Sequence, residues 1–330
     1  MNGCGEKEFP SGILPKLCHL QVFILEDFMS FRDLRMYALV TAKGKEVGCL
    51  RKLEILECHF EEHSDFVEYL NSRDKTLSLC TYKIFVGLLG DDFYSEINNY
   101  CYPCRIVGLG NLNINRDRDF QVMFLNNIQI LHCKCIDARS LGDVLSLENA
   151  TDLQRIDIKG CNSMKSLVSS SWFYSAPLPL PSYNGIFSGL KELYCYKCKS
   201  MKKLFPLVLL SNLMYLERIQ VQHCEKMEEI IGTTDEESSS SNSIMEFILP
   251  KFRILRLINL PELKSICSAK LICDSLEEII VDNCQKLRRL PIRLLPPSFQ
   301  KIEVYPKKWW ESVVEWENPN AKEVLSPFVK

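Results

Sequence analysis

The chain has no apolar run long enough to cross a bilayer, no surplus of charge of either sign and no phosphate-binding glycine loop, and each absence removes a class of function. Its longest apolar stretches, such as Leu204 to Leu210, carry Pro206 inside them and fall far short of the roughly 20 residues of a membrane helix. Lys and Arg number 40 against 42 Asp and Glu, a net charge of -2, so no bulk attraction to nucleic acid or anionic lipid is expected. No G-x-x-x-x-G-K-[ST] motif occurs in the 330 residues, so no P-loop is present in them. Residues 1–10 are polar and charged, without the apolar core of a secretory leader. Tryptophan is scarce, and three of the 4 (Trp309, Trp310 and Trp316) crowd one end.

Cysteine, by contrast, is plentiful, with 16 copies, and it falls repeatedly at one place in a recurring phrase. The phrase is apolar-x-x-apolar-x-apolar-x-x-Cys. It reads Leu153, Ile156, Ile158, Cys161, then Leu190, Leu193, Cys195, Cys198, then Leu216, Ile219, Val221, Cys224, and returns at Leu276 to Cys284, Leu125 to Cys133 and Leu50 to Cys58. Weaker copies begin at Leu17, Leu79, Leu109, Phe252 and Phe299, which makes about eleven irregular units. After the cysteine position, apolar residues follow three and six places on, as at Met164 and Leu167 or Met227 and Ile230. A step of two predicts a strand with one buried face, and a step of three predicts a tight turn behind it. One strand and one turn per unit resembles the leucine-rich repeat. The expected fold is therefore an α/β leucine-rich-repeat solenoid, a curved horseshoe with parallel strands on its concave face and short helices and turns on its convex face. Cysteine at the strand exit acts there as a small buried hydrophobe with a weak S–H donor. Each unit offers about five apolar side chains worth about 1.5–3 kcal/mol apiece when buried, against about 1–2 kcal/mol of backbone ordering per residue. No unit folds alone, so neighbours must cover both flanks.

Between units the spacing marks insertions. Residues 166–187 carry a serine run and the Pro177, Pro179, Pro181 series, and 232–245 read GTTDEESSSSNSIM; both are expected as exposed loops. Glu61 to Asn71 is expected as an outer helix with Phe66, Val67 and Leu70 inward. Residues 1–16 are expected as the remnant of a preceding repeat, leaving an unsealed apolar edge near 9–25, and 305–330 as a cap carried by the tryptophans.

The run Glu225 to Ile231 after His223-Cys224, the segments Leu249 to Phe252 and Leu260 to Ile266, and Trp309-Trp310 with Trp316 together resemble the C-terminal region of plant intracellular disease resistance proteins of the coiled-coil, nucleotide-binding, leucine-rich-repeat class. The resemblance is fullest over 150–330. It implies a cytoplasmic, non-enzymatic domain of an innate immune receptor that senses pathogen effectors or guarded host proteins and helps hold a nucleotide switch inactive. Its implied partners are that protein ligand and the nucleotide-binding domain of a full receptor. The motif of such a switch is absent from this chain. The alternative is a general adaptor, such as the substrate-binding array of a ubiquitin ligase.

The side chains between the inward ones are the candidate binding surface, because solenoids bind along their exposed strands. Asp157, Lys159, Tyr194, Tyr196, Gln220, Gln222 and Arg256 are placed there as the partner-binding set, with the tyrosines at its centre, since Tyr and Arg are enriched at hot spots. No cofactor is expected. Cys101-x-x-Cys104, Cys133-x-Cys135 and Cys195-x-x-Cys198 have the spacing of zinc half-sites, but the last pair belongs to the repeat and no matched second half follows the first. His132 and His223 precede repeat cysteines, and nothing in the pattern activates those thiols. A reducing compartment is the simpler setting for 16 cysteines of which seven sit at repeat positions.

Overall fold

The computed structural model describes residues 8–25, 40–74, 79–88, 104–114, 125, 127–147, 150–169, 185–232, 246–288, 290 and 296–308. The chain forms two compact units, Met1–Asp137 and Ala138–Lys330. The tryptophans expected to cap the array, most of both insertions and Cys101 lie outside the described residues.

The second unit follows the recurring phrase residue by residue. Its main strands are β6 (Arg155–Lys159), β7 (Glu192–Tyr196), β9 (Arg218–Gln222), β12 (Ile254–Ile258), β15 (Glu278–Asp282) and β16 (Lys301–Tyr305), all parallel and each paired with the next in that order. Ile156, Leu193, Ile219, Leu255, Ile279 and Ile302 stand in one register row, and Ile158, Cys195, Val221, Leu257, Val281 and Val304 in a second. Both rows are buried, and the residues between them are half-buried. This is the one-sided strand that a period of two dictates. Behind the strands run short parallel segments, β8 (Phe205–Pro206), β10 (Glu229–Gly232) and β13 (Ser265–Cys267), paired in the order β13-β10-β8, and a separate pair, β11 (Glu246–Ile248) with β14 (Lys270–Ile272). A 3-10 turn covers Leu207–Asn212. The Met164, Met201, Met227, Leu263 and Leu287 column is fully buried between these layers.

Each main strand from β6 to β15 ends on a residue in the left-handed region: Gly160, Lys197, His223, Asn259 and Asn283, with φ of 65°, 54°, 55°, 52° and 54°. That conformation turns the chain sharply and costs a residue with a Cβ about 1–2 kcal/mol, least for Asn. Where the repeat carries cysteine, it follows immediately, and its thiol ties down strand-exit carbonyls. Cys198 donates to Tyr196 O at 3.5 Å and lies 3.8 Å from Ile158 O; Cys284 reaches Asp282 O at 3.4 Å and Leu257 O at 3.6 Å. Cysteine at this position therefore staples one turn of the solenoid to the turn before it.

The first unit is built differently. Its strands are β1 (Val22–Ile24), β2 (Ile55–Phe60), β3 (Thr81–Gly87), β4 (Arg105–Gly110) and β5 (Ile130–Lys134), again parallel and in sequence order. Two helices, α1 (Gly44–Val47) and α2 (His63–Ser72), pack where a Cβ on Gly44 would run into the backbone of Asp65. The expected outer helix is α2, which buries Phe66, Tyr69 and Leu70 while Val67 is half-buried. Phe60, Phe66 and Tyr69 form an aromatic cluster with ring centroids 5.5–6.3 Å apart.

Here the expected registers slip. The most deeply buried row of β2 is Leu56, Cys58 and Phe60, with Leu53 buried before the strand and Ile55 half-buried; in β5 Leu131 and Cys133 are the deepest, while Ile128 and Ile130 are buried as well; and β1 buries Phe23 while Val22 is exposed. The strand that the copy beginning at Leu109 places at Leu112 and Ile114 lies earlier, at 105–110. Cys58 and Cys133 are consequently strand residues and not exit staples. Ile13, Leu17, Val22 and Ile24 are exposed at the start of this unit.

Candidate interaction surface

The seven residues singled out from sequence come together on four adjacent strands of the second unit. Asp157, Tyr194, Gln220 and Arg256 form one register row across β6, β7, β9 and β12, and Lys159, Tyr196 and Gln222 form the next, continued by Ile258. Neighbouring strands lie about 4.8 Å apart, so consecutive members of a row are side by side.

A third row, which the phrase did not single out, sets the electrostatics. Arg155, Glu192, Arg218, Ile254, Glu278 and Lys301 begin the strands. Arg155 donates to Asp157 and to Glu192, each at 3.0 Å, and its guanidinium lies 4.2 Å from the centroid of the Tyr194 ring. The Tyr194 hydroxyl donates to the same Glu192 carboxylate at 3.3 Å. Burial, with Glu192 beside it, pushes the phenol up to about 12 despite the opposing pull of Arg155 and Arg218. Tyr194 is thus a neutral ring clamped by its own surface, and Arg155 holds the clamp. Arg256 is engaged as well: it donates to Glu278 at 2.8 Å, Lys301 pairs with the same carboxylate at 3.2 Å, and Lys301 also reaches Glu303 at 3.0 Å.

Tyr196 is placed otherwise. The ammonium groups of Lys197 and Lys159 stand 4.9 and 5.5 Å from its ring centroid, and His223 meets it edge-on at 5.4 Å. Asn283 donates to Asn259 at 2.8 Å, and the Asn259 amide contacts His223 Nδ1 at 3.3 Å, so a side-chain ladder runs along the left-handed turns to the tyrosine. Lys197 escaped sequence reasoning, and His223 was noted there only as the neighbour of a repeat cysteine; the signal for both was that each immediately precedes an exit cysteine. Among the described residues the Tyr196 hydroxyl, the Gln220 and Gln222 amides and the Arg218 guanidinium make no hydrogen bond or ion pair with the chain.

The cysteines offer no chemistry to this surface. Cys195 and Cys224 approach to 3.7 Å between sulfurs inside the core. Hydrogen bonding to Cys198 and Cys224, together with burial, raises the Cys195 thiol well above its ordinary value. Cys195 pulls the Cys224 thiol down, but Cys198 and burial outweigh it and push that thiol up to about 12. Among the described residues no group of three or more His, Cys, Asp or Glu side chains is arranged to hold a metal ion. No helix there is long and apolar enough to cross a membrane.

Comparison with known proteins bears most directly on about two-fifths of the chain, within the second unit. Residues 173–301 match the leucine-rich repeats of plant disease resistance proteins of the RPS2-like type. Residues 173–301 carry a plant disease-resistance leucine-rich-repeat region. The chain is 22% identical over 320 residues to the disease resistance protein At4g27190 of Arabidopsis thaliana, covering 87% of the present chain and 31% of the relative. It is 34% identical over 149 residues to the disease resistance protein UNI (44% and 16%) and 29% identical over 177 residues to the disease resistance protein RPS5 (53% and 19%), both from Arabidopsis thaliana. The chain thus spans less than a third of each of these relatives.

Proposed function

We propose that this repeat region is the non-enzymatic recognition module of a plant innate immune receptor of the coiled-coil, nucleotide-binding class. It acts in the cytoplasm, where its open strand face receives a pathogen effector or a guarded host protein and, in the resting receptor, the nucleotide-binding domain. The observation that carries the reading is the β6–β12 face, where unused donors at Tyr196, Gln220, Gln222 and Arg218 sit beside a ring already fixed in place. A rigid aromatic anchor with neighbouring polar groups is what a protein interface selects, because little rotamer freedom is lost on binding. Relatives named for disease resistance support the biological setting.

The test is site-specific photo-crosslinking in plant cells expressing a pathogen effector, with the photoreactive residue at position 220 on the face or at position 286 in an exit turn. Adducts with a defined effector or host protein from 220 and not from 286, lost in Tyr194→Ala/Tyr196→Ala, support the reading. Equal adducts from both positions, or none from 220, remove it.

A further inference from the structure

The two halves of the open face carry opposite charge. On β6, β7 and β9 the cations Arg155, Lys159 and Arg218 outnumber the carboxylates Asp157 and Glu192, both already held by Arg155, and Lys197 follows β7 directly. On β12, β15 and β16 the carboxylates Glu278, Asp282 and Glu303 outnumber Arg256 and Lys301, and three of these groups are interlocked through Glu278. The cationic half stands out in a chain whose net charge is -2, so it is local and not a by-product of bulk charge.

We infer that the β6–β7–β9 face receives an acidic segment of the partner protein, its carboxylates seated between Lys197, Arg218 and the Tyr196 hydroxyl; this rests on the recognition reading above. Lys197 is exposed and its ammonium is steadied against the Tyr196 ring at 4.9 Å. It makes no ion pair among the described residues, and neither does Arg218. The Gln220 and Gln222 amides and the tyrosine hydroxyl lie between these two cations and add neutral donors. A carboxylate at either cation has the neutral donors beside it and forms charge-assisted hydrogen bonds, about twice as strong as neutral ones. An acceptor without charge gains less, and a cationic segment is repelled. A long polyanion fits poorly: beyond β9 the same sheet presents Glu278, Asp282 and Glu303, so a nucleic acid strand laid across the face would run onto carboxylates, whereas a short acidic segment ends before them.

The experiment is a fluorescence-anisotropy titration of the whole chain with three labelled probes at low and high salt: a short peptide alternating Asp and Glu, the same peptide in Asn and Gln, and a single-stranded oligonucleotide of similar length. The acidic peptide is expected to bind about tenfold more tightly than its neutral counterpart, the scale of two solvent-facing charge pairs, and to weaken with salt. Lys197→Gln/Arg218→Gln should erase that preference, and Lys286→Gln, in the exit turn after β15, should not. Lys197→Glu/Arg218→Glu should turn the preference toward a fourth probe, the same peptide in Lys, which separates a lost charge from a lost fold. Equal affinity for the acidic and neutral peptides, an oligonucleotide that binds as tightly as the acidic peptide, or a preference that survives the double Gln variant each overturns the inference. If the acid preference fails while crosslinks from position 220 persist, partner recognition stands without it; if those crosslinks fail, the reading beneath it fails.

Discussion

Strands of the second unit bury one face and leave the other half-open, whereas β2 to β5 of the first unit bury both. In β2 and β3 the residues between the inward ones include Glu57, His59, Lys83 and Phe85, each no more than 8% exposed; in β7 and β9 the same places hold Tyr194 and Gln220, which are half-buried. The same parallel ladder has therefore been used once as a two-sided core and once as a surface. Glu57 and Lys83 lie 3.7 Å apart within that core, and His59 bonds through Nε2 to Gly87 O at 2.8 Å. A polar side chain between two inward residues is thus structural in one unit and available for recognition in the other.

The largest contrast should appear in thiol reactivity. Every described cysteine of the second unit is buried, while Cys18, Cys49, Cys80 and Cys135 of the first are exposed. Burial pushes Cys273 and Cys284 up to about 12, which leaves on the order of a thousandfold less thiolate than an ordinary cysteine at neutral pH. Pulse alkylation read by mass spectrometry should label those four first and the second unit only on unfolding. Early labelling of Cys198 or Cys284 would break the contrast.

Next in size is the buried ion pair. Lys83→Met leaves the Glu57 carboxylate buried without this partner and should cost about 3–5 kcal/mol, while Gln220→Met, at the matching place in the second unit, should stay within about 0.5 kcal/mol. Denaturant titration followed by hydrogen exchange at residues 55–60 and 218–222 reads both. Equal costs would mean that packing constrains the open face no less than the closed one.

The buried imidazole adds a pH term confined to the first unit. Burial holds His59 below the ordinary value of 6.5, only partly offset by its bond to Gly87. As pH falls, the unfolded chain takes up the proton first, so stability present above about 6.5 is lost down to the folded value, by at most about 1.4 kcal/mol per pH unit. His59→Gln should flatten that slope at residues 81–87 and leave residues 218–222 unaffected.

Smaller still is the turn ladder of the second unit. Asn259→Ala, at φ 52° and bonded to Asn283, should cost about 1–2 kcal/mol; Asn259→Gly should cost less, which thermal unfolding of the two variants would show. Removal of the exposed Glu228 that bridges Lys202 and Lys264 at 3.3 and 3.0 Å should cost under about 1 kcal/mol and vanish at high salt.

The difference between the units also explains where sequence reading succeeded. At Ile156-Asp157-Ile158 or Ile219-Gln220-Val221 a polar residue separates two apolar ones, so only one register buries the apolar pair. Ile55-Leu56-Glu57-Cys58 and Ile128-Gln129-Ile130-Leu131 offer apolar residues to both faces, and a one-residue slip costs the pattern nothing. Strand β4, Arg105-Ile106-Val107-Gly108-Leu109, has almost no alternation, as expected of a strand covered on both sides, so the alternating phrase points a few residues too late. At the candidate site the two rows of β6–β12 followed from alternation alone. The row of Arg155, Glu192 and Arg218 did not, nor did Lys197 and His223, because which charges find each other depends on strands about 20–40 residues apart in sequence being brought to about 4.8 Å.

By itself the sequence determined the repeat, the parallel order of its strands and the inward face of the second unit, because spacing of 3, 2 and 3 admits one way of burying its apolar side chains next to copies of itself. Only the tertiary structure decided that the first unit closes over its strands, that Cys58 and Cys133 are strand residues where Cys198 and Cys284 are staples, and that Tyr194 is clamped while the Tyr196 hydroxyl is left open. Those outcomes depend on which neighbour covers a face and which charge lies across the next strand. Burial and pairing are properties of the assembled sheet, and no single strand contains them.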